Sequence, residues 1–223
     1  MKLGVLFSGG KDSVYATYVS KKYGHEIECL ISIFSKNKES FMFHTPAVEK
    51  TKIQASSMNV PILIQKTDGK KEDELTDLRD AIKKAKNKFK IDGVVTGAIK
   101  SVYQASRIQR ICDELGLVCF NPLWQKDEEI YLEELVKNKF KIILTGVFAF
   151  PFDEKWIGRE IDKKFIDEIK TLNKKYKIHI AGEGGEYETF VVDCPLFSRP
   201  LNVVGKKILK EGENSFRLEV EVK

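Results

Sequence analysis

The chain has 223 residues, 42% of them hydrophobic and 32% charged. That composition excludes a disordered or collagen-like chain, and the length is ample for a sizeable core. The 38 basic side chains exceed the 33 acidic ones by a net charge of +5. The bases come in scattered pairs such as Lys21-Lys22 and Lys174-Lys175, interleaved with acids. That pattern predicts a solvated surface and not a nucleic-acid interface.

Taken in order, residues 2–7 form a nearly continuous apolar run, as in a strand buried on both faces of a parallel sheet. A helix is predicted over 12–23 and a strand over 26–34. Thr45-Pro46 supplies an N-cap and first-turn proline for a helix reaching about residue 58. A short strand follows at 60–65. Residues 72–89 carry Leu75, Leu78, Ile82 and Ala85 on one stripe of a long charged helix. Another apolar strand is predicted at 92–99 and another helix at 101–115, opened by Ser101 and Gln104 as a capping box. This βαβαβ grammar predicts an α/β fold with a doubly wound parallel sheet.

Beyond residue 122 the pattern changes. Helices are predicted at 127–138 and 162–176, and a strand at 141–148. A glycine-rich segment, 182–186, then precedes a strand at 189–193 and a hairpin over 206–222. We therefore expect two domains, 1–122 and a smaller α+β domain at 123–223. No run is apolar enough to span a membrane, and the apolar N-terminal stretch is too short for a signal-peptide core, so a cytoplasmic location is expected. Cys29, Cys112, Cys119 and Cys194 include no CxxC pair, which argues against a zinc ribbon or a dithiol redox site.

The first chemical motif is Ser8-Gly9-Gly10-Lys11-Asp12-Ser13, between the first strand and the first helix. Adjacent glycines let backbone N–H groups approach a phosphate, and the helix N-terminus adds partial positive charge. The spacing fits neither a Walker P-loop nor a dinucleotide fingerprint. The string resembles the PP-loop of the ATP pyrophosphatases, which cleave ATP between its α and β phosphates. The resemblance implies ATP and Mg²⁺ as cofactors. Ser8, Gly9, Gly10, Lys11, Asp12 and Ser13 would hold the phosphates, Lys11 and Asp12 would act in catalysis, and Asp12 would also serve the metal. Ile33, Phe34 and Gly97 would complete the nucleotide site.

Further strings narrow the family. Met42-Phe43-His44-Thr45-Pro46, Gly97-Ala98-Ile99-Lys100-Ser101-Val102-Tyr103-Gln104, Asn121-Pro122-Leu123-Trp124 and Gly182-Glu183-Gly184-Gly185-Glu186-Tyr187-Glu188-Thr189, with Asp193-Cys194-Pro195, resemble the diphthine–ammonia ligase family. Members are understood to adenylate the diphthine carboxylate of elongation factor 2 with ATP. Ammonium then converts it to the amide, releasing AMP and pyrophosphate. The chain resembles a compact form lacking the extra C-terminal domains of eukaryotic relatives. Its Ala47 replaces an Asn common in the pattern.

The substrate side chain bears a trimethylammonium and a carboxylate, and quaternary cations are recognised by aromatic faces and carboxylates. Tyr103, Trp124, Tyr187, Glu186 and Glu188 supply both. His44, Ser101, Gln104, Gly184, Gly185 and Thr189 fall in the same strings and join the substrate-site candidates. Glu183 or Glu186 would accept ammonium and take its proton. Bland explanations stand beside these. Gly184-Gly185 also makes a turn, Ser101 and Gln104 also cap a helix, and Trp124 is also explained by plain packing between the expected domains. The partners expected are elongation factor 2 and ammonium, with neither membrane nor nucleic acid, and the sequence admits a homodimer. Two alternatives remain at this level, a PP-loop enzyme that adenylates a tRNA base and an ATP-binding sensor without catalysis.

Overall fold

The computed structural model describes residues 1–35, 48–67 and 71–223. They fall into two compact units, Met1–Trp124 and Gln125–Lys223.

The first unit alternates β1 (Lys2–Leu6), α1 (Lys11–Lys22), β2 (Glu26–Ser35), α2 (Val48–Met58), β3 (Ile62–Thr67), α3 (Lys71–Phe89), β4 (Gly93–Val95), α4 (Val102–Leu115) and β5 (Val118–Phe120). All strand pairs are parallel, in the order β3-β2-β1-β4-β5. The chain winds outward from β1 to β3, crosses back to β4, and winds outward again. Right-handed crossovers then require α1 and α2 on one face and α3 and α4 on the other. The core agrees: Cys29, Ile31 and Ile33 of β2 and Val94 of β4 pack with Leu78, Ile82 and Ala85 of α3 and Ile108, Ile111 and Cys112 of α4. Gly4 lies on this face, where a Cβ would come within 2.9 Å of the Ile91 side chain. Its neighbours Leu3 and Val5 alternate to the opposite face and are fully buried. The doubly wound parallel sheet is as expected from the sequence.

The strand expected at 92–99 stops at Val95. Beyond it Thr96 still bonds to Phe120 O through its N–H (3.0 Å), but the Ala98 N–H turns onto Thr96 Oγ1 (3.2 Å), leaving the ladder. The three-residue β5 was not anticipated. The N-terminal part of the helix expected from Thr45-Pro46 lies outside the described residues, as do His44, Met42, Phe43 and Ala47.

The second unit comprises α5 (Glu128–Lys137), β6 (Lys141–Val147), α6 (Lys163–Tyr176), β7 (Tyr187–Asp193), β8 (Val203–Gly212) and β9 (Ser215–Val222), plus a 3₁₀ turn at Glu154–Trp156. Its sheet is antiparallel in the order β7-β6-β9-β8, so this part is α+β as expected. Asp127 and Asp162 start the helices by accepting N–H groups of the first turn, Asp162 from Phe165 at 2.7 Å. An aromatic cluster fills the core, with Phe152 and Phe165 both edge-on to Tyr187 at 6.0 and 5.9 Å between ring centroids.

Candidate active site

Of the expected site residues, positions 8–13, Ile33, Phe34, Gly97, Ser101, Tyr103, Gln104 and Trp124 belong to the first unit. Positions 183–189 belong to the second. His44 lies outside the described residues.

The phosphate-loop candidate leaves β1 at the point where strand order reverses, between β1 and β4. That crevice is where open α/β sheets bind ligands. Gly9 sits at φ +81°, in the left-handed region that glycine alone takes without strain. Gly10 is the N-cap of α1, and no side chain caps it. The first-turn N–H groups have no acceptor one turn back in the helix, so they point out of its end. The serines tie the loop together. Ser13 Oγ donates to Gly10 O (3.1 Å), accepts from Ser8 N (3.2 Å) and lies 3.2 Å from Ser8 Oγ. Lys11 Nζ rests on the Asp12 carboxylate at 2.9 Å, with the lysine side chain almost fully buried.

Gly97 follows β4 and abuts this turn. A Cβ there would lie 2.8 Å from the Asp12 carbonyl carbon and 2.9 Å from Ser13 N. The segment is braced by Thr96, whose Oγ1 donates to Asn121 Oδ1 at 2.5 Å. Cys119 Sγ lies 3.7 Å from Asn121 Nδ2. The neighbouring Cys112 thiol and the Asn121 amide hold Cys119 below the usual thiol range, while the interaction with Cys119 and burial push Cys112 up.

Ile33's side chain is in the core, so any ligand role falls to its backbone. Leu30 N bonds to β3's side, at Pro61 O, whereas Ile31 O accepts Phe7 N from the β1 side. By alternation Ile33's N–H and C=O face the β1 side, one step beyond that last bond. Phe34 faces β3, in register with Lys66.

Ser101 caps α4 by accepting Gln104 N at 3.3 Å, the bland role foreseen for both residues. Tyr103 is exposed, but one of its faces carries the Arg107 guanidinium, 3.4 Å from the ring centroid. Trp124 is 37% exposed.

In the second unit the glycine-rich loop is held by two buried carboxylates. Glu186 accepts His179 N with Oε1 (2.7 Å) and Gly184 N with Oε2 (2.9 Å). Glu128 accepts Ala181 N with Oε2 (2.8 Å) and lies 3.3 Å from His179 Nδ1 with Oε1. Gly182 and Gly185 both have left-handed backbone, at φ +74° and +82°. Of the two carboxylates offered for ammonium, Glu183 and Glu186, the second thus has both oxygens on the loop's own N–H groups. Glu183 sits in the turn, half-buried.

Tyr187 likewise departs from expectation. Its ring is buried, edge-on to Phe152 and Phe165, and its hydroxyl donates to Ile180 O at 2.6 Å, so it offers no open face to a cation. Glu188 Oε2 accepts Arg217 Nη1 at 2.8 Å across Gly146 of β6, where a Cβ would run into the Phe148 ring. Thr189 pairs with Leu144 in the sheet. Gln54, Thr96 and Glu128 were not singled out from the sequence. No one-dimensional signal marks them, since each matters through a partner distant in the chain.

The sequence matches the family description "Diphthamide synthase N-terminal domain" over residues 1–119 and "Diphthamide synthase C-terminal domain" over 127–221. It is 32% identical over 235 residues to diphthine–ammonia ligase of Bos taurus, covering 97% of this chain and 88% of that protein. It is 34% identical over 226 residues to diphthine–ammonia ligase of Schizosaccharomyces pombe, covering 94% of this chain but 37% of that protein. The chain thus spans most of the bovine protein's length but little more than a third of the yeast protein's. A predicted tRNA methyltransferase subunit from Methanocaldococcus jannaschii shares 19% identity and a TM-score of 0.45, covering 87% of this chain and 98% of that one.

Proposed function

The chain belongs to the diphthamide synthase (diphthine–ammonia ligase) family, and from that premise we propose how its residues carry out the ATP-dependent amidation of diphthine. It is a ligase that forms a C–N bond on a diphthine-modified protein. Family membership sets aside the tRNA-modifying and non-catalytic alternatives. The protein substrate proposed is elongation factor 2, and the nitrogen donor is free ammonium.

The observation that supports the first half-reaction best is the Gly9-Gly10 turn at the mouth of α1, beside the β1–β4 reversal. Its N–H groups, with the Ser8 and Ser13 hydroxyls, receive the β and γ phosphates, while Ile33's backbone reads the adenine edge. Lys11 neutralises charge on the phosphates. Asp12, with 31% of its side chain exposed beside the loop, suits Mg²⁺, which is commonly held by one or two carboxylates plus phosphate oxygens. Mg²⁺, when bound, supplies charge neutralisation on the departing pyrophosphate.

A diphthine carboxylate oxygen then bonds to the α-phosphorus as the bond to the β-phosphate oxygen breaks, and pyrophosphate leaves. Glu183 takes a proton from ammonium, the nitrogen attacks the acyl carbon, and the added nitrogen then gives up a second proton to solvent. The acyl–oxygen bond to AMP breaks as the amide forms. Glu186 and Glu128 keep the loop in shape around Glu183. Trp124 and the open side of Tyr103 are the aromatic faces for the trimethylammonium.

Following the nucleotide product tests this. Purified protein with Mg-ATP, ammonium and diphthine-bearing acceptor is expected to yield AMP and pyrophosphate only when the acceptor is present. Release of ADP and phosphate would contradict the proposal.

A further inference from the structure

We infer that Gln54 is a positioning residue that sets the phosphate loop in its anion-accepting shape, an assignment that rests on reading that loop as the ATP site. Gln54 lies on α2 and is fully buried. Its Nε2 donates to Gly9 O at 3.0 Å, across 45 residues of sequence. Burying an amide is costly unless it is hydrogen-bonded, and here one of those bonds goes to the loop itself.

The consequence follows from peptide geometry. In a trans peptide, the Gly9 carbonyl and the Gly10 N–H point in opposite directions. Tying the carbonyl to Gln54 turns it inward and aims the Gly10 N–H at the opposite side, where Ser8 Oγ lies at 3.4 Å. That is also the side of the Ser8–Ser13 hydroxyl pair at the end of α1. With the peptide flipped, a carbonyl oxygen would face the incoming phosphate and repel it. Gln54 also fills the space behind Gly9, because a Cβ on Gly9 would overlap Gln54 Oε1. Gly9 and Gln54 thus constrain each other, and Gln54 acts on the phosphate only through the Gly9–Gly10 peptide.

The test measures binding of ATP, pyrophosphate and AMP to the full chain by titration calorimetry, with a thermal melt of each variant. Gln54→Met keeps the volume and removes the donor. It is expected to weaken ATP and pyrophosphate about tenfold each while AMP changes by less than about twofold, the size of one lost hydrogen bond confined to the loop. An equal loss for AMP would show general damage to the sheet and overturn the assignment, as would unchanged pyrophosphate affinity. Gln54→Asn keeps the amide but is a methylene too short to reach Gly9. It carries the same expectation should Gln54→Met fail to fold. A wild-type chain that binds AMP but neither ATP nor pyrophosphate would instead overturn the reading of the loop.

Discussion

Gly97 and Asp12 are in backbone contact: a Cβ on Gly97 would lie 2.8 Å from the Asp12 carbonyl carbon. The strand end at β4 can approach the first turn of α1 this closely only because position 97 has no side chain. Backbone atoms cannot yield as a flexible side chain would, so Gly97→Ala must displace α1 relative to β4. We expect a loss of stability of about 1–3 kcal/mol from overpacking. Displacing the loop is expected to cost up to about a hundredfold in AMP formation, the loss that a shift of about 1 Å can bring. A melt and an initial-rate assay check this, and near-wild-type activity would show that the contact is not tight.

Glu186 and Glu183 should separate cleanly. Glu186→Gln swaps one acceptor oxygen for an N–H₂ that faces a backbone N–H of His179 or Gly184. The expected cost is about 1–3 kcal/mol of stability, because a buried donor loses its partner. Activity lost this way should not return on adding ammonium. Glu183→Gln should raise the KM for ammonium, and added ammonium should restore its activity. If ammonium instead rescued the Glu186 variant, Glu186 would be the ammonium residue after all.

Arg217 joins two carboxylates on the second sheet, Glu188 at 2.8 Å and Glu211 at 3.2 Å. Its guanidinium also lies over the Phe148 ring at 4.9 Å. A double-mutant cycle with Arg217→Gln and Glu188→Gln is expected to give a coupling energy of about 1 kcal/mol in chemical denaturation. Additive losses would mean that the pair only decorates the sheet.

The thiols should react in a fixed order. Burial pushes Cys29 and Cys194 up to about 12, so both should stay inert to iodoacetamide in the native protein. Cys119, held below the usual thiol range by Cys112 and Asn121, ionises first as pH rises and is expected to be alkylated first. Peptide mapping after brief labelling reads the order, and labelling at Cys29 ahead of Cys119 would refute it.

The parts of the fold written as local patterns were legible in the sequence. The apolar run of β1 followed by Gly9-Gly10 and the stripe on α3 announced the parallel sheet, and the string around Gly184-Gly185 pointed to the family. The three-residue β5 was not legible, because so short an edge strand carries too little pattern. Roles set by distant partners were hidden too. Gln54 is one polar residue among many until the fold carries it to Gly9, and Glu128 until it meets the Ala181 N–H. Glu186 and Glu188 stood together in the sequence as carboxylates for the substrate cation. However, β7 begins at Tyr187, so Glu186 precedes the strand and turns back into the loop.

The most direct test of the central claim is the mass of the acceptor. Diphthine-bearing elongation factor 2 incubated with the protein, Mg-ATP and ammonium should lose the mass difference between OH and NH₂ at its modified residue, and isotopically heavy ammonium should be incorporated there. An acceptor of unchanged mass, while ATP is consumed in its presence, would contradict amidation of diphthine by this chain.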